Sequence, residues 1–124
     1  MINTLKGIYN HPFNEGRRLH SLFAFVSWQI KSRFFKTTFV HQFTENSKLI
    51  AKNGMAGATG NIYSGLHEFE DMGFLLHFLR KDDLFIDIGA NIGSYTVLAS
   101  GEIGTNVICI EPIPMTFEIL KSNI

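Results

Sequence analysis

The residues that could do chemistry lie in one short segment, FIDIGANIG, in which an acid precedes two glycines. Asp87, Gly89 and Gly93 give this segment the spacing D-x-G-x-x-x-G. A dinucleotide-binding turn has the spacing G-x-G-x-x-G, which would put Asp87 and Ile92 at two positions that require glycine. A carboxylate repels a pyrophosphate at close range and attracts a cation. The segment therefore favours a cationic ligand that carries no phosphate.

S-adenosylmethionine fits this description, because it carries an ammonium and a sulfonium group. A strand that runs into a glycine-rich turn and then a helix directs backbone N–H groups toward a ligand at the turn. The next strand ends at Glu111, where a carboxylate can accept hydrogen bonds from both ribose hydroxyls. NAD would also use such an acid, so Asp87 is the residue that discriminates between the two cofactors.

The pattern around this segment predicts parallel α/β structure. The runs LFIDI, SYTVLAS and NVICIE have the order strand, helix, strand, and a further helix is predicted from Pro114, with Phe117, Leu120 and Ile124 on one face. The strands are apolar without alternation, which predicts that helices cover both faces of the sheet. Cys109 lies in the second strand and is expected to be a buried thiol in a reducing compartment.

The preceding residues are predicted to form two helices, a hairpin and a loop. Apolar residues on one face predict an amphipathic helix between Gly16 and Phe35: Leu19, Leu22, Phe23, Val26, Ile30 and Phe34. Its basic flanks leave two explanations open, packing against the core or contact with a membrane surface or partner. TTFVHQF and SKLIAKNG predict a β-hairpin, and HEFEDMGFLLHFLRKDD predicts a helix. The glycine-rich segment 54–61 is predicted to be a loop.

The composition bounds the possible functions. The chain has 124 residues, of which 45% are hydrophobic, and its 11 basic and 11 acidic residues give a formal charge of zero. This composition predicts a folded domain and no net field for recruiting nucleic acid or membranes. No apolar stretch reaches the length of a transmembrane helix, and no secretory signal is evident, so a cytoplasmic location is expected. The scattered histidines and the single cysteine predict no metal site.

A family resemblance becomes specific when three segments are read together. FIDIGANIGSYTVLAS, the following CIEPIPMTFEILKSNI and the preceding GNIYSGLHEFEDMGFLLHFL resemble the FkbM family of S-adenosylmethionine-dependent methyltransferases over roughly residues 57–124. The resemblance implies an α/β fold of the Rossmann-like class I methyltransferase type. It divides the chain into a helix and hairpin region, 1–56, and the start of a methyltransferase domain, 57–124. It also implies methyl transfer to a hydroxyl oxygen of a sugar, polyketide or similar metabolite.

The resemblance also assigns site residues. Asp87, Gly89, Ala90, Asn91 and Gly93 would form the turn around the methionine part of the cofactor, and Glu111 would bind the ribose. Asn91 has an alternative role as a cap of the following helix. Tyr63 and Glu68 match an upstream segment that could close over the cofactor. Packing of Tyr63 and helix-start electrostatics for Glu68 are the alternatives. The catalytic residue is unassigned, and His67 is expected to be a surface residue at a helix start.

The chain contains only the first βαβα part of the fold that this resemblance implies. We therefore expect an incomplete sheet, an exposed apolar edge, poor behaviour in isolation and a chain that could be inactive alone. Two other functions remain open, a nicotinamide-dependent oxidoreductase and a non-catalytic interaction module built from half of the fold. The sequence predicts neither the methyl acceptor nor the oligomeric state.

Overall fold

The computed structural model describes residues 2–34, 38–51 and 56–124, and the side chains of these residues except 2, 51 and 56–58. The described part has mixed α/β structure in which helices predominate. The helices are α1 (Ile2–Asn10), α2 (Arg18–Phe34), α3 (Ala56–Ser64), α4 (Phe69–Phe78), α5 (Ser94–Val97) and α6 (Pro114–Asn123). The strands are β1 (Phe39–Gln42), β2 (Lys48–Ala51), β3 (Leu84–Ile88) and β4 (Asn106–Ile110). A 3-10 turn at Pro12–Asn14 precedes α2, and α5 continues as π-helical turns over Leu98–Ile103.

The strands form two separate pairs. β1 and β2 are antiparallel, with Val40 opposite Ile50, which confirms the predicted hairpin. β3 and β4 are parallel, with Asp87 opposite Cys109, and α5 with its π-helical extension lies between them in the chain. This confirms the predicted strand, helix, strand order. Because parallel strands end at the same edge, residues just beyond Ile88 and Ile110 lie near one another.

α2 forms as predicted, but the face that packs on the core is not the apolar stripe by which the sequence identifies the helix. The buried residues of the helix are Ser21, Phe25, Trp28 and Ser32, whereas Leu19, Phe23, Val26, Ile30 and Phe34 are exposed. The two aromatic rings bring large apolar areas to the buried side. The serines there are satisfied, since Ser21 donates to Asn14 Oδ1 over 2.8 Å and Ser32 to the Gln29 carbonyl over 3.3 Å. The helix is therefore packed on the core through Phe25 and Trp28, and the Leu19–Phe34 stripe that identified it is exposed.

The predicted loop at 54–61 is also wrong for the part that the structure describes. Residues 56–61 belong to α3, and residues 54 and 55 lie outside the described residues. Gly60 is buried, and a Cβ added there would overlap the His67 ring. The glycine thus permits a close approach between α3 and the segment before α4, and tertiary packing overrides the low helix propensity of the sequence.

Two hydrophobic clusters span the predicted domain boundary at 56/57. The first joins Phe43 and Leu49 of the hairpin region to Met72 and Leu75 of α4 and to Leu98 after α5. The second contains Ile8, Phe25, Trp28, Tyr63 and Ile92. Ile92 belongs to the glycine-rich turn, so the amino-terminal helices and the segment predicted to bind a ligand share one hydrophobic cluster.

The sheet formed by β3 and β4 has one covered face and one open face. Phe85 and Val107 point toward the first cluster, while the alternate side chains Leu84, Ile86, Ile88, Ile108 and Ile110 are exposed. The prediction that helices cover both faces is wrong for the described residues, because α5 and its extension cover one side and no described element covers the other. Cys109 is a free, half-buried thiol on β4. Among the described residues, no helix combines the length and apolar character needed to cross a membrane.

Candidate functional site

The turn after β3 is held by the carbonyl that ends β4. The Ile110 oxygen accepts hydrogen bonds from Gly89 N over 2.8 Å and from Ala90 N over 3.0 Å. Gly89 has φ +78°, and a Cβ at this position would meet no atom of the described residues within 4 Å. Glycine is therefore favoured here by backbone conformation, and the space beside its Cα is open to another group.

The turn closes at Gly93, where it meets α6. Gly93 N donates to the Ala90 carbonyl over 2.8 Å, and Gly93 has φ +92°. A Cβ at Gly93 would lie 2.7 Å from Leu120 Cδ1, and Leu120 is completely buried. This glycine therefore serves both the turn conformation and the packing of α6.

Glu111 connects the two strand ends. Its Oε2 accepts a hydrogen bond from Asn91 N over 2.8 Å, and its Oε1 accepts one from Ile113 N over 2.9 Å. Asn91 has φ +52°, a left-handed conformation that asparagine tolerates better than most residues. Its predicted alternative role as a helix cap is not seen, because α5 begins after Gly93 without a side-chain cap. Each carboxylate oxygen of Glu111 retains a second lone pair for a ligand.

Asp87 lies near the end of β3, half-buried, and is oriented by α5. Thr96 Oγ1 donates to Asp87 Oδ2 over 2.6 Å. Within the described residues, the other carboxylate oxygen of Asp87 has no hydrogen-bond partner. Thr96 is buried on α5, so the helix after the turn fixes the acid that precedes it.

Tyr95 brings the upstream acid Glu68 into the same region. The carboxylates of Glu68, Asp71 and Asp87 lie close enough to the Tyr95 hydroxyl to act on it electrostatically. Burial first, then interaction with the Glu68 carboxylate, and then the negative charge of all three acids raise the pKa of Tyr95 well above its usual value. Glu68 itself is exposed, and its backbone carbonyl accepts the first hydrogen bond of α4 from Met72 N. Sequence reasoning missed Tyr95, although it lies directly after the turn.

Tyr63 is not beside these acids but in the second hydrophobic cluster. It is buried, and its ring makes an edge contact with Phe25 at a centroid distance of 5.1 Å. Burial raises the pKa of Tyr63, and a hydrogen bond with Thr59 opposes this change. The position agrees with the packing role that was the alternative for Tyr63. Tyr63 and Ile92 of the turn belong to the same hydrophobic cluster.

Two asparagines that the sequence did not point to hold the turn in place. Asn123 of α6 donates through Nδ2 to the Ile92 carbonyl over 2.6 Å and accepts through Oδ1 from Ile50 N over 2.7 Å. Asn61 of α3 is buried, donates to Ser94 Oγ over 3.2 Å and accepts from His67 N over 2.9 Å. The only available signal was their residue type, since a buried asparagine must find several partners.

A cleft beside α2 does not coincide with the strand-end acids. A cleft of about 890 Å³ lies between α2, β1 and the segment before α4, and Phe23, Trp28, His41 and Leu66 contribute to its wall. Asp87, Gly89 and Glu111 do not line it. We place the candidate site at the strand ends rather than in this cleft, because the acids and the free backbone space converge there. His67 is exposed, as expected, and no proton acceptor is assigned.

Comparisons with protein-family models, with curated proteins and with solved structures found no match to this chain. The family resemblance therefore depends on the motif residues alone.

Proposed function

We propose that this chain is the cofactor-binding part of an S-adenosylmethionine-dependent methyltransferase of FkbM type with a Rossmann-like fold. The observation that carries the proposal is the convergence of Asp87, the glycine turn and Glu111 at the ends of two parallel strands. The cofactor supplies an activated methyl group, and we propose that a hydroxyl oxygen of a sugar, polyketide or similar metabolite accepts it.

The acceptor groups of the site fit the cofactor. The free oxygen of Asp87 suits the ammonium of the methionine part, and the open space beside Gly89 allows close approach to the backbone. The remaining lone pairs of Glu111 suit two ribose hydroxyls. A pyrophosphate would meet Asp87, Glu111 and the nearby Glu68 as like charges, which disfavours the nicotinamide alternative. We assign these residues to binding, and none of them to proton removal.

Calorimetric titration of the chain with S-adenosylmethionine and with NAD tests this proposal. We expect binding of the first and no measurable binding of the second. Asp87→Asn should weaken S-adenosylmethionine binding by about tenfold or more, because it removes the charge. The amide oxygen can still accept from Thr96, so the fold should be kept. Asp82→Asn is the matched control, because Asp82 is exposed and lies before β3 at the opposite end of the strand.

Preference for NAD, or equal binding by the Asp87→Asn variant, would contradict the proposal. Circular dichroism and cooperative unfolding of each variant separate loss of the site from loss of the fold.

The open face of the β3–β4 sheet favours a second candidate, a non-catalytic module that completes its layers with another chain. Five exposed aliphatic side chains form this face: Leu84, Ile86, Ile88, Ile108 and Ile110. This candidate requires self-association or partner binding through the sheet and no cofactor binding at the strand ends.

A further inference from the structure

The exposed face of α2 is the feature that the proposed site does not use. Five apolar side chains at three- and four-residue spacings form this stripe: Leu19, Phe23, Val26, Ile30 and Phe34. Leu19 is 84% exposed, Phe23 72% and Phe34 78%. The helix is anchored through its other side by Phe25 and Trp28, so the stripe faces outward because the core fixes the helix orientation.

Basic side chains lie on both sides of this stripe. On a helical projection, Arg18 and Arg33 flank one side and Lys31 the other, and all three are exposed. The whole chain has zero net charge, but its basic and acidic residues are distributed unevenly along the sequence. Residues 1–44 contain six basic residues and the single acid Glu15, while residues 45–124 contain five basic and ten acidic residues. No acid occurs from residue 16 to residue 44.

An apolar groove extends the stripe toward α1. Its volume is about 750 Å³, and its lining comes from Leu5, Lys6, Tyr9 and Asn10 of α1 and from Leu22 and Val26 of α2. The guanidinium of Arg18 lies over the Tyr9 ring, 4.7 Å from its centroid. The charged groups that the two helices bring to this surface are therefore cationic.

We propose that the α1–α2 surface docks on the headgroup region of an anionic lipid bilayer. An apolar stripe between basic flanks matches an interfacial helix, whose apolar side chains enter the acyl boundary while the cations meet lipid phosphates and carboxylates. A second copy of the chain fits less well, because two such faces would bring cations together with no acid on either helix to pair with them. A nucleic acid backbone would leave the apolar stripe exposed to water.

Vesicle flotation of the intact chain tests this docking. We expect binding to vesicles of phosphatidylcholine containing phosphatidylserine, little binding to pure phosphatidylcholine, and weaker binding at high salt because added ions screen the attraction. Phe23→Trp provides a direct depth readout, since brominated lipid should quench the introduced indole. The natural Trp28 is buried against Phe39 and should be quenched much less.

Two sets of variants separate the apolar and the electrostatic contributions to vesicle binding. Phe23→Asp with Ile30→Asp should reduce binding to the anionic vesicles by about tenfold or more, and Arg18→Gln with Lys31→Gln and Arg33→Gln should remove the preference for anionic lipid. Ile86→Lys with Ile108→Glu is the matched control, because it changes two exposed isoleucines on the sheet and should leave vesicle binding intact. Trp28 emission checks that each variant keeps its native packing.

Failure of the wild-type chain to bind anionic vesicles would overturn the proposal, as would equal binding to neutral vesicles. An undiminished affinity of the folded Phe23→Asp, Ile30→Asp variant would also overturn it. So would a stable oligomer that these two substitutions dissociate, because that result would make a second copy the occupant of the stripe.

Discussion

At the scale of single residues, the surroundings of Tyr95 predict how the stability of the fold depends on pH. Its pKa is raised, so the folded state holds the phenolic proton more tightly than the unfolded chain does. The resulting stabilisation is complete below the unfolded value of about 10 and is lost as pH rises from there toward the folded pKa. Tyr95→Phe should therefore lose less stability than the wild type when pH rises past about 10.

Urea unfolding at a series of pH values checks this prediction. The difference in free energy of unfolding between wild type and Tyr95→Phe should be constant near neutral pH and fall in alkaline solution. Tyr9→Phe is the control, because Tyr9 is exposed and lies under Arg18 rather than among acids. An alkaline loss of stability that is the same in wild type and Tyr95→Phe would contradict the assignment.

For the site residues, the sequence predicted their positions in the fold better than their hydrogen-bond partners. Asp87 and Glu111 were expected at the ends of neighbouring strands, and that is where they lie. Their partners Thr96, Asn91 N and Ile113 N follow from the path of the turn, which the spacing of glycines does not specify. Tyr95 and Asn123 were missed because their contacts come from residues far away in the sequence.

At the scale of elements, the turn and α6 make a paired prediction about two glycines. Gly89→Ala should cost about 1 kcal/mol, because an L-residue is forced into a left-handed conformation in otherwise open space. Gly93→Ala carries the same backbone cost and also drives its Cβ into buried Leu120, which should add about 1–3 kcal/mol. Denaturant unfolding of the two variants measures the difference. Equal losses of unfolding free energy in the two variants would show that Leu120 and α6 shift at little cost to make room for the added methyl group.

The elements also show where local patterns fail. The hairpin, α4, the strand, helix, strand unit and the start of α6 at Pro114 all follow from local periodicity and turn residues. Periodicity also identified α2, but it could not tell which of two apolar faces would be buried. Phe25 and Trp28 decided the orientation by contacts with Tyr63 and Phe39. For α3, a helix forms although its composition disfavours one, and Gly60 leaves the space that the His67 ring occupies.

At the scale of the whole molecule, the open sheet face predicts self-association. β3 has only β4 as a hydrogen-bonded neighbour among the described strands, and the exposed isoleucines form a continuous apolar surface. Sedimentation velocity should show mass increasing with concentration. Ile86→Lys with Ile108→Glu should reduce this association, since these residues are cross-strand partners and the new charges can pair with one another.

The α2 variant Phe23→Asp, Ile30→Asp is the control for this experiment and should retain the association. A wild-type chain that stays monomeric over a wide range of concentrations, with cooperative unfolding, would contradict the prediction. It would also remove the main support for the interaction-module alternative.

The two hydrogen bonds that Glu111 accepts have a consequence for the thermodynamics of any ligand at the strand ends. Asn91 N and Ile113 N already restrain the carboxylate in the folded protein. Ligand binding therefore loses less side-chain entropy at Glu111 than it would at a freely rotating side chain. The site is preorganised at this residue. An amide in its place offers one acceptor oxygen and one donor nitrogen, so it can satisfy only one of the two N–H groups. Loss of affinity after Glu111→Gln would therefore combine a missing charge with a loosened turn.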